Sequence, residues 1–199
     1  MAIVIRQLSK SYNDIPVFQD VELHLEDGGI YCLLAPSGAG KTTLFRILMG
    51  LERADRGWIQ GLPEGPVATV FQEDRLCPSL TAQKNIQLVQ PVITGDALRH
   101  ELKRLLPEDS LDKPVSEFSG GMRRRVALMR ALLAPGQWLV MDEPFTGLDE
   151  ETREVAMEYV LSRRNGRTLL FTTHHVEEAD RLGATRILWQ EQEKRWNMS

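Results

Sequence analysis

The chain has 199 residues, 42% of them hydrophobic and 26% charged, which suits one globular domain with a sizeable core and excludes a disordered polyelectrolyte. Acidic side chains outnumber basic ones, 28 to 24, for a formal charge of -4, so the overall field does not favour a polyanion such as nucleic acid. Residues 1–6 lack the charged start and long apolar run of a signal peptide, and no segment approaches the roughly 20 apolar residues needed to cross a bilayer.

Taken in chain order, residues 3–8 and 21–25 alternate apolar with polar side chains, as half-buried antiparallel strands do, until Gly28 and Gly29 break the pattern. Residues 30–34, Ile-Tyr-Cys-Leu-Leu, form an unbroken apolar run that suits a strand covered on both faces. From Lys41, Leu44, Ile47, Leu48 and Leu51 recur at helical spacing. Further buried strands are expected at 67–71, 138–141 and 168–172, with a helix at 152–161 between the last two, a short helix around Val176, Ala179 and Leu182, and a last strand at 185–189. Residues 77–133 carry helical patterns instead, Leu98-Leu102-Leu105 and Met122-Val126-Met129-Leu133. The expected architecture is therefore one α/β domain over 1–199, with a mostly parallel sheet core at about 1–76 and 134–190, an antiparallel β subdomain, a helical insertion at about 77–133 and a polar, frayed tail at 191–199.

Between the run at 30–34 and the helix lies Ala35-Pro36-Ser37-Gly38-Ala39-Gly40-Lys41-Thr42-Thr43. A strand, a glycine turn and a helix start are what a phosphate-binding loop requires: the glycines let successive N–H groups face inward, the helix adds its positive end, Lys41 reaches the terminal phosphates and Thr42 offers a hydroxyl to Mg²⁺. Alanine at position 35 departs from the usual leading glycine and places the geometry of the loop entrance in question. The strand at 138–141 ends in Asp142 and Glu143. Alone, such a pair suits a turn or a helix cap; after a phosphate loop, Asp142 is a candidate holder of Mg²⁺ and Glu143 a candidate general base for the attacking water.

Phe118-Ser119-Gly120-Gly121-Met122 resembles the Leu-Ser-Gly-Gly-Gln signature of the ATP-binding cassette family, matching at Ser119, Gly120 and Gly121 and departing at Phe118 and Met122. In isolation the tripeptide is equally an ordinary capped helix start. The resemblance extends from about residue 3 to 189 and implies further roles: Tyr12 stacks on adenine, Gln72 senses Mg²⁺ and the attacking water, Asp149 in Gly147-Leu148-Asp149 lies on a loop crossing to a second subunit, and His174 contacts the γ-phosphate. Each has a plain alternative, a loop cover for Tyr12, a solvated strand end for Gln72 and a helix N-cap for Asp149.

His174 and His175 are adjacent on an extended segment, so they point to opposite faces and do not make a metal site. Arg123-Arg124-Arg125 lacks interleaved aromatics and reads as a solvated helix face, with the phosphates of a dimer as the second option. Cys32 and Cys77 read as free thiols in a reducing compartment, Cys32 buried.

The family resemblance implies a P-loop ATPase that uses ATP and Mg²⁺, pairs with a second copy so that Ser119 completes the partner's site, and sits on the cytoplasmic face of the inner membrane through permease subunits, with a solute-binding protein as an indirect partner and no nucleic acid. Residues 70–76 followed by Pro78, Leu80 and Asn85, together with 173–179, resemble subunits of bacterial nitrate, sulfonate and taurine importers, and the resemblance makes Gln72 with residues 73–78 the expected coupling surface. A non-transport ATPase of the family or an exporter subunit is the alternative. A GTP switch would need an Asn-Lys-x-Asp element, which the sequence does not contain.

Overall fold

The computed structural model describes residues 2–93 and 95–198. The alternation at the amino end produces two long paired strands, β1 (Ile3–Tyr12) and β2 (Ile15–Leu25), in the register Ile3 to Leu25, Ile5 to Leu23 and Leu8 to Val21. All six of those side chains are buried: the strand period of two aligns Ile3 with Ile5 and Val21 with Leu23 and Leu25, and an irregularity between Ile5 and Leu8, with Gln7 at φ 49°, returns Leu8 to the same face. β4 (Arg56–Gln60) pairs with the other edge of β1, giving the order β2-β1-β4. Its own pattern is almost wholly exposed, which is why no apolar alternation announces it. Backbone pairing of Gln60, Ile59, Trp58 and Arg56 with β1 seats it, and Gly57, at the register shift with φ 85°, approaches so closely that a Cβ would lie 2.5 Å from the carbonyl oxygens of Arg6 and Gln7.

The second sheet has the order β5-β6-β7-β3-β8-β9. β3 (Ile30–Leu34), β5 (Ala68–Val70), β6 (Trp138–Met141), β7 (Thr168–Thr173) and β8 (Thr185–Gln190) run parallel. The inner strands are buried on both faces and divide their side chains between two apolar clusters. Tyr31, Leu33, Trp138, Val140 and Leu170 join the antiparallel sheet and helix α1 (Lys41–Leu48). Cys32, Leu139, Met141, Leu169 and Phe171 join the helices α2 (Ala82–Gln87), α3 (Gly95–Leu102), α4 (Gly120–Leu133) and α5 (Glu150–Arg163). Helix α6 (Val176–Arg181) adds Ala179 to that second cluster. Sheet faces covered on both sides account for the unbroken apolar runs.

The carboxyl end of the chain corrects one expectation. Residues 195–198 are not frayed: they form β9 (Arg195–Met198), antiparallel to β8. Trp196 is fully buried, 5.1 Å between ring centroids from Trp189, and the Lys194 carbonyl accepts a hydrogen bond from the Gln19 amide. One buried indole among polar neighbours supplies the anchor that the composition of the tail conceals. Among the described residues, no helix is long and apolar enough to cross a membrane.

Candidate functional site

β6, β7 and β3 are neighbours, so the segments leaving their carboxyl ends meet at one edge of the sheet, where ligands bind in open α/β folds. The loop after β3 is built around two left-handed glycines, Gly38 at φ 85° and Gly40 at φ 82°. Gly40 starts α1 with no side chain capping it, which leaves its first-turn N–H groups for an anion. Ala35 is not among the residues with positive φ. Alanine therefore fits the loop entrance without left-handed backbone strain.

Lys41 is buried, and its ammonium donates to the Ala35 carbonyl at 2.8 Å and the Pro36 carbonyl at 3.0 Å. Burial lowers its pKa from the usual lysine range, opposed by the nearby Glu143 and Asp142 carboxylates. Thr42 Oγ1 donates to Asp142 Oδ2 at 3.0 Å. The other carboxylate oxygen of Asp142 accepts from Thr172 Oγ1 at 2.7 Å.

Thr172, fully buried on β7, also accepts the Glu143 amide at 2.8 Å. That bond pins Glu143 at φ 48°, a left-handed conformation that costs a non-glycine residue on the order of 1–3 kcal/mol and persists only where neighbours enforce it. The Glu143 carboxylate faces His174 Nε2 at 2.7 Å through one oxygen and accepts from Thr146 Oγ1 at 3.2 Å through the other.

Of the residues singled out in the sequence, Ser37, Gly38, Gly40, Lys41, Thr42, Thr43, Gln72, Asp142, Glu143 and His174 line one cavity of about 330 Å³, together with Val17. Ala35 and Pro36 hold Lys41 from outside it, and Ala39 is buried beneath. The oxygens of Thr42, Asp142 and Gln72 share that cavity and form a hard donor set of the kind Mg²⁺ takes.

Tyr12 stands outside the lining. It is half-exposed, and its hydroxyl donates to Glu52, which raises the tyrosine pKa ahead of the smaller effect of burial. Ser119 and Gly120 are exposed and also outside the cavity. Ser119 caps α4 by accepting the Met122 amide at 3.2 Å. Gly121 packs against the loop before α5, where a Cβ would lie 3.2 Å from the Gly147 carbonyl oxygen, whereas a Cβ at Gly120 would meet nothing within 4 Å. Asp149 caps α5 through both carboxylate oxygens, at 2.9 Å each from the Thr152 amide and hydroxyl. Phe118 is buried in the core in place of leucine, and Met122 packs at the edge of the same cluster.

The arginine run is a second correction. Arg124 is not a solvated residue; it is 4% exposed and donates to carbonyls of its own chain. Arg123 turns back to the Phe118 carbonyl, and Arg125 reaches the Leu105 carbonyl. Arg124, Thr172 and Val17 are the site residues that sequence reasoning missed. A threonine inside a buried strand was the one available signal for Thr172.

The family model for ABC transporters matches residues 18–146. The chain belongs to the ABC transporter family.

Relatives of this cassette carry names of both transport directions. It is 39% identical over 196 residues to the Nod factor export ATP-binding protein I of Burkholderia thailandensis, covering 89% of this chain and 64% of that protein. It is 41% identical over 183 residues to an aliphatic sulfonates import ATP-binding protein of Pseudomonas savastanoi pv. phaseolicola, covering 88% and 75%. The cassette thus spans 64%, less than two thirds, of the length of the Burkholderia relative. Its fold matches the dimeric ATP-binding cassette MJ0796 in a post-hydrolysis state bound to ADP and Pi, with a TM-score of 0.82 and 25% identity over 99% of this chain and 97% of that one.

Proposed function

We propose that this cassette is the ATP-binding and hydrolysing subunit of a transporter, closing with a second copy around two ATP molecules to drive membrane permease subunits. The observation that carries the reading is the convergence of Lys41, Thr42, Gln72, Asp142, Glu143 and His174 on one cavity at the carboxyl edge of the sheet.

Lys41 and the free N–H groups at the start of α1 bind the phosphates. Lys41 donates to the loop carbonyls, and His174 Nε2 lies against the Glu143 carboxylate. A γ-phosphate takes over the contacts of Lys41 and His174 and leaves the Glu143 carboxylate facing water. Glu143 Oε1 then accepts the proton of the attacking water as general base. Thr42, Asp142 and Gln72 would hold Mg²⁺, which would supply charge neutralisation at the phosphates. Tyr12, hydrogen-bonded to Glu52, would stack on the base.

Ser119, Gly120 and Gly121 have no use in their own chain's cavity, yet they form an exposed helix start with a close-packed base at Gly121. Serving the ATP of a second copy gives that surface its purpose. Charge-assisted hydrogen bonds from it to the γ-phosphate exist only in the closed pair, so hydrolysis releases the pair. Residues 73–78 join the cavity to the helical segment and serve as the coupling surface to the permease, on the cytoplasmic face of the membrane, with a solute-binding protein as an indirect partner. Import of a sulfonate-class solute follows the Pseudomonas relative; export is the second reading, favoured by the Burkholderia one.

The test is Mg²⁺-dependent hydrolysis by the purified chain, followed with its copurified permease. Turnover that Lys41→Ala abolishes supports the reading. A wild-type chain that neither binds nor hydrolyses ATP overturns it.

A further inference from the structure

The guanidinium of Arg124 is shared between two strand ends. One nitrogen donates to the Phe71 carbonyl at 2.6 Å, the Gln72 carbonyl at 3.4 Å and the Asp74 carboxylate at 3.2 Å; the other donates to the Asp142 and Glu143 carbonyls at 2.6 Å each. β5 and β6 end their ladder just before these residues, with Val70 opposite Met141 and the Asp142 amide bonded to the Val70 carbonyl at 2.8 Å. Beyond that point no backbone bond between the two segments continues the pairing, and Arg124 bridges the gap. Its Nε is buried without a partner, so the fork is committed to these acceptors at a desolvation cost. A planar fork with several donors is the one cationic side chain able to hold two diverging strand ends together.

Arg124 lies in the second turn of α4, five residues and about 7.5 Å of helix rise after Ser119. α4 is thereby bonded at one end to its exposed Ser119 start and along its length to the backbone that carries Gln72 and Glu143.

We propose that Arg124 is a positioning residue that couples the two nucleotide sites: seating of Ser119 against the second copy's ATP sets, through α4 and Arg124, the placement of Gln72 and Glu143 in the same chain. This rests on the dimeric reading above and adds a route by which each site responds to the other's ATP. The consequence is positive cooperativity in hydrolysis with little effect on the first binding of ATP.

Arg124→Lys keeps the charge and most of the packing but loses the fork. Steady-state hydrolysis is expected to show kcat lowered about 10-fold or more, KM for ATP little changed, and a Hill coefficient falling from above one toward one. Arg130→Lys is the control, because Arg130 holds the Asp74 and Arg75 carbonyls, at 2.9 and 2.7 Å, and bonds to none of Phe71, Gln72, Asp142 and Glu143; it should keep kcat and cooperativity. An equal loss in both variants, an unchanged Hill coefficient in Arg124→Lys, or a non-cooperative wild type overturns the coupling. Amide hydrogen exchange reads the clamp even in a chain that does not turn over: Arg124→Lys should speed exchange at Gln72 and Glu143 while leaving the centre of α4 protected. Unchanged exchange there overturns the positioning role, whereas absent wild-type hydrolysis with faster exchange in the variant overturns only the ATPase reading.

Discussion

His174 Nε2 lies 2.7 Å from Glu143 Oε1, so the residue proposed to meet the γ-phosphate and the residue proposed to activate water are in direct contact. Glu143→Gln keeps the side-chain shape and removes the base. Turnover should fall about 10²–10⁴-fold while ATP still binds, and the variant should accumulate as a dimer in ATP. Hydrolysis assays with size-exclusion chromatography check this; full activity in the variant refutes the assigned base.

Thr172 supports both acids from beneath. Thr172→Val preserves volume but removes the hydroxyl from Asp142 and leaves the Glu143 amide without its acceptor, a loss of about 1–3 kcal/mol for a buried group left unpaired. Chemical denaturation should register that loss, and turnover should drop further than stability explains, because Glu143 then relaxes from its left-handed backbone.

Trp196 is fully buried on the edge strand β9. Trp196→Ala should cost about 3–5 kcal/mol in urea unfolding, the usual range for emptying an indole-sized core site. A disordered tail would show no change in the midpoint.

The two thiols should separate cleanly. Burial, reinforced by the Glu178 carboxylate, pushes the Cys32 thiol up to about 12, whereas Cys77 is exposed. At pH 8 a thiol reagent should label Cys77 rapidly in the native chain and Cys32 only after unfolding. Mass spectrometry of the labelled peptides reads the order, and native labelling of Cys32 would contradict its placement.

What could be read in the residues themselves was the chemistry written locally. The apolar run of β3, the glycines after it and the helical spacing of α1 are contiguous, so the phosphate loop is visible without knowing the fold. Asp142 and Glu143 follow their strand directly for the same reason. Arg124 could not be read this way: it sits in a run of three arginines that resembles surface charge, and its acceptors lie on strands that fold back from about 50 residues earlier and 20 residues later. Trp196 and β9 were hidden because their pairing partner is β8 and their cover is the antiparallel sheet, both remote from the polar local pattern. β4 was hidden because its side chains are exposed except for the half-buried Ile59, and its pairing with β1 is made by backbone.

The central claim is a site shared between two copies, and mixing two inactive variants tests it. Lys41→Ala cannot hold the phosphates, and Ser119→Arg cannot close on the partner's ATP. In their mixed dimer one cavity has an intact Lys41 facing an intact Ser119, so hydrolysis should appear that neither variant shows alone. Mixtures that remain inactive while each variant stays folded and the two associate would contradict the composite site.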